Sequence, residues 1–173
     1  QAEDYDLGGE GVGYHDVDSE NHGGQYRADG VDIESSGSGL YNLGWIEEGE
    51  WLRFTVSAAV TYTNLVRYSV ATQLDPQFCL RMTLDDVTVD VQTFHTTDGW
   101  WAWTNLYSST PFVIDAGVHT VKVHFVRGGF NFDLMEFLAY TNEVPAYKDP
   151  AAAISNRVGD LLFIGDLLNA NRP

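Results

Sequence analysis

Short runs in which apolar and polar residues alternate fill the chain from its start to about residue 140. Residues 51–56 (WLRFTV), 65–70 (LVRYSV), 78–84 (FCLRMTL), 87–91 (VTVDV) and 118–125 (VHTVKVHF) carry the two-residue period of strands with one face in a core. Gly, Asn and Asp separate them as turn signals, and no amphipathic helix interrupts the series. Many short strands of this kind predict an all-β fold, a sandwich of the jelly-roll type or a barrel.

From Thr141 the pattern changes. Pro145, Pro150 and three alanines at 151–153 are followed by Ile154, Val158, Leu161 and Leu162 at three- and four-residue steps, which predicts the first turns of a helix. Asp149 is its expected cap and Pro150 an early helical residue. The chain therefore divides into a β-sandwich over 1–140, a linker over 141–148 and a tail over 149–173. That tail reads either as the start of a following domain or as a helical extension docked on the sandwich.

A chain of 173 residues suffices for one domain, which at this size buries roughly 70% of its unfolded surface. Nine Lys and Arg against 25 Asp and Glu give a net charge of −16. Nucleic acid and anionic membranes are excluded as partners on that ground, and neutral sugars or cations remain. Cys79 is the single cysteine, so no internal disulfide forms, and no zinc-ligand spacing is present. No apolar run is long enough to span a bilayer as a helix. The sequence opens at Gln1 without a signal stretch, which predicts a mature fragment, and the low pI with few lysines predicts a secreted, extracellular protein.

Catalysis is not expected. The acidic pairs Glu47–Glu48 and Asp85–Asp86 cannot flank one scissile bond from a strand, where neighbours point to opposite faces. His15, His22, His95, His119 and His124 are scattered without a metal-binding or nucleophile-activating spacing. The aromatic residues carry more. Three of the five tryptophans fall in Gly99-Trp100-Trp101-Ala102-Trp103, and Trp45 and Trp51 follow turn residues. Indole faces stack on the C–H-rich faces of pyranose rings. Core packing is the commoner role for any one Trp, yet residues 100–103 cannot all point inward, because strand residues alternate faces.

The series Gln1-Ala2-Glu3-Asp4-Tyr5, Gly30-Val31-Asp32-Ile33-Glu34, Tyr41-Asn42-Leu43-Gly44-Trp45, Glu48-Gly49-Glu50-Trp51, Gly99-Trp100-Trp101-Ala102-Trp103, Ala116-Gly117-Val118-His119-Thr120 and Gly129-Phe130-Asn131-Phe132-Asp133 resembles carbohydrate-binding module family 6, in order and over residues 1–140. The resemblance implies a sandwich with a ligand cleft at the loops between its sheets. It implies Trp45 and Trp103 as the two aromatic walls, with Asn131 and Glu34 bonding the sugar; Trp101 is an extra aromatic where many members carry a polar residue. It allows a second cleft at Trp51, with His124 and Arg27 near the expected places; core packing is the other role open to Trp51. It also implies calcium, held by Gln1, Glu3 and Asp133. Gln1 and Glu3 would share one face of a first strand, and oxygen ligands of this kind suit Ca²⁺.

Tyr147-Lys148-Asp149-Pro150, followed by Ile154-Ser155-Asn156-Arg157-Val158-Gly159-Asp160-Leu161-Leu162, resembles the opening of a glycoside hydrolase family 3 catalytic domain, and the match ends at Leu162. The expected function is a non-catalytic module that binds the terminus of a β-linked polysaccharide, β-1,3-glucan first and agar or xylan ends next, and targets an appended hydrolase to it. A calcium-stabilised structural or adhesion domain with all its tryptophans buried is the alternative.

Overall fold

The alternating runs become strands of two antiparallel sheets in the computed structural model, which describes residues 1–37, 40–140 and 161–163. After a 3₁₀ turn at Ala2–Asp4 come β1 (Tyr14–His15), β2 (Ile33–Gly37), β3 (Leu40–Leu43), β4 (Trp51–Ala58), β5 (Tyr62–Thr72) and β6 (Phe78–Leu84). β7 (Val87–Phe94), β8 (Gly99–Tyr107), β9 (Phe112–Ile114), β10 (Gly117–Arg127), β11 (Asn131–Ala139) and β12 (Leu161–Phe163) follow. One sheet runs β1-β4-β10-β6-β7, with β12 on β4; the other runs β2-β3-β11-β5-β8, with β9 on β5. Of the two all-β architectures the sequence allows, the chain adopts the sandwich.

The core follows from the two-residue period. Along β4, Leu52, Phe54, Val56 and Ala58 are buried while Trp51, Arg53, Thr55 and Ser57 face outward. Val121, Val123 and Phe125 of β10 continue the same inner face. Tyr68 and Phe132 close it from the other sheet, and Phe130 joins them from the loop before β11. Each large apolar side chain so buried favours the fold by about 1.5–3 kcal/mol. Phe130 packs edge-on against Phe78, Phe94 and Phe125, which pins that loop to the core.

The C-terminal extension differs from expectation where it is described. Leu161–Phe163 is a strand, pairing with Ala58, Ser57 and Val56 of β4, and not part of a helix. β1 covers β4 at Trp51 and Leu52, and Gly13 and Asp6 bond the backbone of Arg53 and Thr55, so it is the last part of that edge, Val56 to Ala58, that Leu161–Phe163 takes. The linker over 141–148 and the helix start at Asp149–Pro150 lie outside the described residues.

Strand order places one end of the second sheet where a site can form. β3 and β5 finish there, β8 and β11 begin there, and β2 begins beside them, as the pairs Ile33↔Leu43, Phe132↔Leu43, Asn131↔Ala71 and Thr72↔Gly99 record. The first residue of β11 thus lies between the end of β3 and the start of β8.

Candidate functional site

At that end Glu34, Gly44, Trp45, Ile46, Trp100, Trp101, Gly129, Phe130 and Asn131 line a cleft of about 460 Å³. Trp45 comes from the β3 side and Trp100 and Trp101 from the β8 side, with Asn131 between them on β11. Trp45 is 53% and Trp101 52% exposed, so two indoles face solvent instead of the core. The alternative that buries every tryptophan is thereby removed.

A hydrogen-bonded pair forms the polar part of the cleft. Asn131 is 4% exposed, and its Nδ2 donates to Glu34 Oε1 at 3.0 Å and to the Trp100 carbonyl at 3.1 Å. Glu34 Oε1 also accepts from Asn42 Nδ2 at 3.0 Å. Both amide protons of Asn131 are committed inside the protein, so what the pair can offer a ligand is acceptor oxygens: Asn131 Oδ1 and Glu34 Oε2. Acceptors held between exposed indoles suit a molecule with hydroxyl donors on its edge and C–H groups on its face, which describes a pyranose.

The walls are held by backbone. Gly44 N donates to the Asp32 carbonyl at 3.0 Å, and a Cβ at Gly44 would lie 3.1 Å from Glu34 Oε1, so glycine leaves the carboxylate its place. Trp45 then adopts φ 48°, a left-handed conformation that is uncommon for a residue with a Cβ. Its ring lies 6.2 Å from that of His22, and the backbone N–H of His22 donates to Asp32 Oδ1 at 2.6 Å. Gly129 N donates to the Ile46 carbonyl at 2.7 Å, tying the loop before Asn131 to the loop after Trp45. On the other side, Thr72 N donates to Thr97 Oγ1 and the Thr72 carbonyl accepts from Thr97 N, fixing the entry to β8. Thr72, Thr97 and His22 were missed as supports in the sequence, where nothing marks a threonine or a histidine as the neighbour of a cleft.

Of the four residues assigned to this cleft from the sequence, the structure brings three together: Trp45, Asn131 and Glu34. Trp103 does not line it. Trp101, two residues earlier, does, and the rings of Trp101 and Trp103 meet edge to face at 6.5 Å. The reason is a break in the ladder: β5 advances by two residues from Val70 to Thr72, while β8 spans five, from Thr104 to Gly99. The tryptophan stretch arches out of the sheet there, and strict alternation stops assigning faces.

Trp51 does not pack in the core, the commoner of the two roles open to it in the sequence. It faces outward from β4, with the His15 ring 6.4 Å away and Lys122 Nζ 4.5 Å from its ring centre, so a cation already covers one face. Burial of Leu52 fixes this, since its neighbour must point the other way. His124 stands opposite Trp51 on β10, whereas Arg27 stacks on Tyr5 at 3.9 Å.

At the first residues, Glu3 sits in the 3₁₀ turn and not on a strand, so Gln1 and Glu3 share no strand face. Glu3 is buried, and burial raises its pKa to about 7, with the charge of Asp133 adding to the shift. Among the described residues Glu3 Oε2 has no hydrogen-bond partner. Asp133 is also raised by burial, and bonds Ser69.

A β-sandwich with an open cleft at its loop end, aromatic on both sides and floored by an Asn–Glu pair, defines a non-catalytic carbohydrate-binding module. Residues 27–137 match the model of carbohydrate binding module family 35, and the chain belongs to that family. Solved structures of both family 35 and family 6 share the fold. The C-terminal family 6 module of LamC, a laminarinase from Zobellia galactanivorans, aligns with TM-score 0.54 and 22% identity over 61% of this chain and 85% of its own. A family 6 module of Cellvibrio mixtus lichenase 5A, in complex with cellotriose, aligns with TM-score 0.58 and 21% identity over 82% and 95%. A family 35 module from Clostridium thermocellum aligns with TM-score 0.54 and 17% identity over 62% and 87%. No curated protein matches the chain. Nothing among these matches supports a glycoside hydrolase family 3 stretch in the tail.

Proposed function

We propose that this module binds the terminus of a β-linked polysaccharide, β-1,3-glucan foremost, and carries an appended glycoside hydrolase to it outside the cell. The observation that carries the proposal is the placement of Trp45 and Trp101 on either side of the Asn131–Glu34 pair. Stacked indoles hold a ring by its faces, and Asn131 Oδ1 and Glu34 Oε2 accept bonds from its hydroxyls. Similar modules belong to a laminarinase and to a lichenase, the latter solved with cellotriose, which favours a β-glucan.

Calcium belongs to the same proposal. Glu3 and Asp133 lie close enough for each charge to oppose the other, and the free buried Glu3 Oε2 is the kind of oxygen a hard cation takes. Among the described residues no three His, Cys, Asp or Glu side chains gather as a cage. The Gln1 amide and backbone carbonyls would therefore complete the coordination.

Two stacked faces and a few exposed hydrogen bonds, set against ordering costs, correspond to a Kd of roughly 10 μM to 1 mM, about −4 to −7 kcal/mol. Calorimetric titration with laminari-, cello- and xylo-oligosaccharides tests the proposal. Binding in this range, strongest for the laminari series, is expected; a folded protein that binds none of the three series overturns it.

A further inference from the structure

Beyond the cleft, the outer face of β8 carries a row of side chains that the terminus-binding site does not use. From Thr104 onward β8 pairs regularly with β5: Thr104↔Val70, Asn105↔Ser69, Leu106↔Tyr68 and Tyr107↔Arg67. Val70 and Tyr68 are buried on the core side, so within the regular ladder Asn105 and Tyr107 point outward, and half-buried Trp103 precedes them at the end of the arched stretch. The row starts at the cleft itself, because Trp101 lines the cleft and touches Trp103. It ends at Tyr107, which is 51% exposed. Four steps of about 3.4 Å put Tyr107 about 14 Å beyond Trp103, the length of a few sugar rings. Among the described residues β8 is the last strand of its sheet, so the row runs along a rim that an extended chain can follow.

The polar groups beside the row are fixed. Arg67 Nε donates to Glu136 Oε2 at 2.8 Å, and another guanidinium N–H of Arg67 donates to Asn105 Oδ1 at 2.8 Å. This orients the Asn105 amide with its N–H₂ left to donate, between two aromatic rings. Arg67 is neutralised by Glu136. The strip is therefore aromatic, flanked by an oriented amide and without net charge, and it matches a neutral glycan better than an anionic one.

We propose that a glycan chain leaving the cleft continues along β8 over Trp103 and Tyr107, with Asn105 bonding it between them, so that the module grips several rings beyond the terminus. This rests on the carbohydrate site proposed above. Trp103, displaced from the cleft, becomes the first platform of the extension.

Titration of the wild-type chain and of Tyr107→Ala with laminaribiose and laminarihexaose separates the two proposals, because the disaccharide reads the cleft and the gain with length reads the strip. The wild type is expected to bind the hexasaccharide about tenfold or more tighter than the disaccharide. Tyr107→Ala is expected to erase most of that gain and leave disaccharide affinity unchanged, and Trp103→Ala to erase it further. Equal affinity of the wild type for both sugars, or a full gain retained in Tyr107→Ala, overturns the strip and leaves the cleft standing. Failure of the wild type to bind either sugar overturns both for β-1,3-glucan. Sedimentation of the same samples covers the remaining occupant: a dimer abolished by Tyr107→Ala would assign the strip to a second copy of the chain.

Discussion

Asn131 and Glu34 are 97 residues apart in sequence and joined by a hydrogen bond of 3.0 Å, the amide donating to the carboxylate. The same Glu34 oxygen takes the Asn42 amide, so two asparagines converge on one acid at the floor of the cleft. Asn131→Asp would replace the donor by a second carboxylate against Glu34. It is expected to lower the melting temperature more than Asn131→Ala at neutral pH and to abolish sugar binding. Adding Glu34→Gln to Asn131→Asp supplies a donor again and is expected to recover much of the stability. Thermal melts of the three variants check this; a double variant no more stable than Asn131→Asp would show that the pair is not coupled.

The exposed indoles are expected to contribute to affinity rather than to the core. Trp45→Ala and Trp101→Ala are each expected to cost about 1–3 kcal/mol of binding, the value of one lost apolar face, with little change in melting temperature. Trp103→Ala is expected to weaken short oligosaccharides much less than either. Melting temperature and disaccharide titration on the same samples decide it: if Trp103→Ala alone abolished disaccharide binding, the cleft wall would be Trp103 and not Trp101.

What the sequence revealed tracks what strand periodicity can carry. The two-residue pattern of residues 51–56 predicts the inner face of β4 correctly, down to Phe54 and Val56, because a regular ladder preserves alternation. Trp45, Asn131 and Glu34 were legible as one site through their motifs, since each begins or follows a strand at the same sheet end. Trp101 and not Trp103 lines the cleft because the ladder breaks between Val70 and Thr72, which no residue pattern announces. The 3₁₀ turn at Ala2–Asp4 escaped for a related reason: three residues are too few for a period. Leu161–Phe163 pairs with β4 because an edge is free there, a fact of the tertiary fold and not of the tail's own sequence.

Calcium is expected to act on the fold and not on the sugar. Glu3 and Asp133 are absent from the lining of the cleft, so saturating Ca²⁺ is expected to raise the melting temperature while leaving oligosaccharide affinity within about twofold, the added stability arising by mass action. Glu3→Gln is expected to remove most of the calcium response. A chelator that abolished sugar binding in a still-folded protein would place the cation in the cleft.

A buried group of carboxylates behind the Trp45 loop makes stability depend on pH. Burial pushes Glu50 up to about 8 and Asp16 up to about 6, and Asp32 is raised by burial as well. Glu50 takes a hydrogen bond from Glu47 N at 3.0 Å, Asp16 is hydrogen-bonded to Glu50, and the Asp32 carboxylate accepts the backbone N–H of His22, whose ring lies by Trp45, so the group supports the segment carrying Trp45. His15 lies beside it, and Glu47 and Asp18 add negative charge. Folded Glu50 and Asp16 bind protons more tightly than their unfolded forms do. Their favourable contribution is therefore complete below the ordinary carboxylate range and is lost as pH rises through about 6 for Asp16 and about 8 for Glu50. In saturating calcium, which keeps Glu3 out of the titration, the melting temperature is expected to fall steadily between about pH 5 and 9. Glu50→Gln keeps an oxygen for the Glu47 N–H and removes the charge, so it is expected to flatten the upper part of that slope and to hold disaccharide affinity nearer its acidic value at pH 9. A wild-type melting temperature that stays level or rises over this range would mean that the three carboxylates ionise without cost and that the Trp45 loop does not depend on their protons.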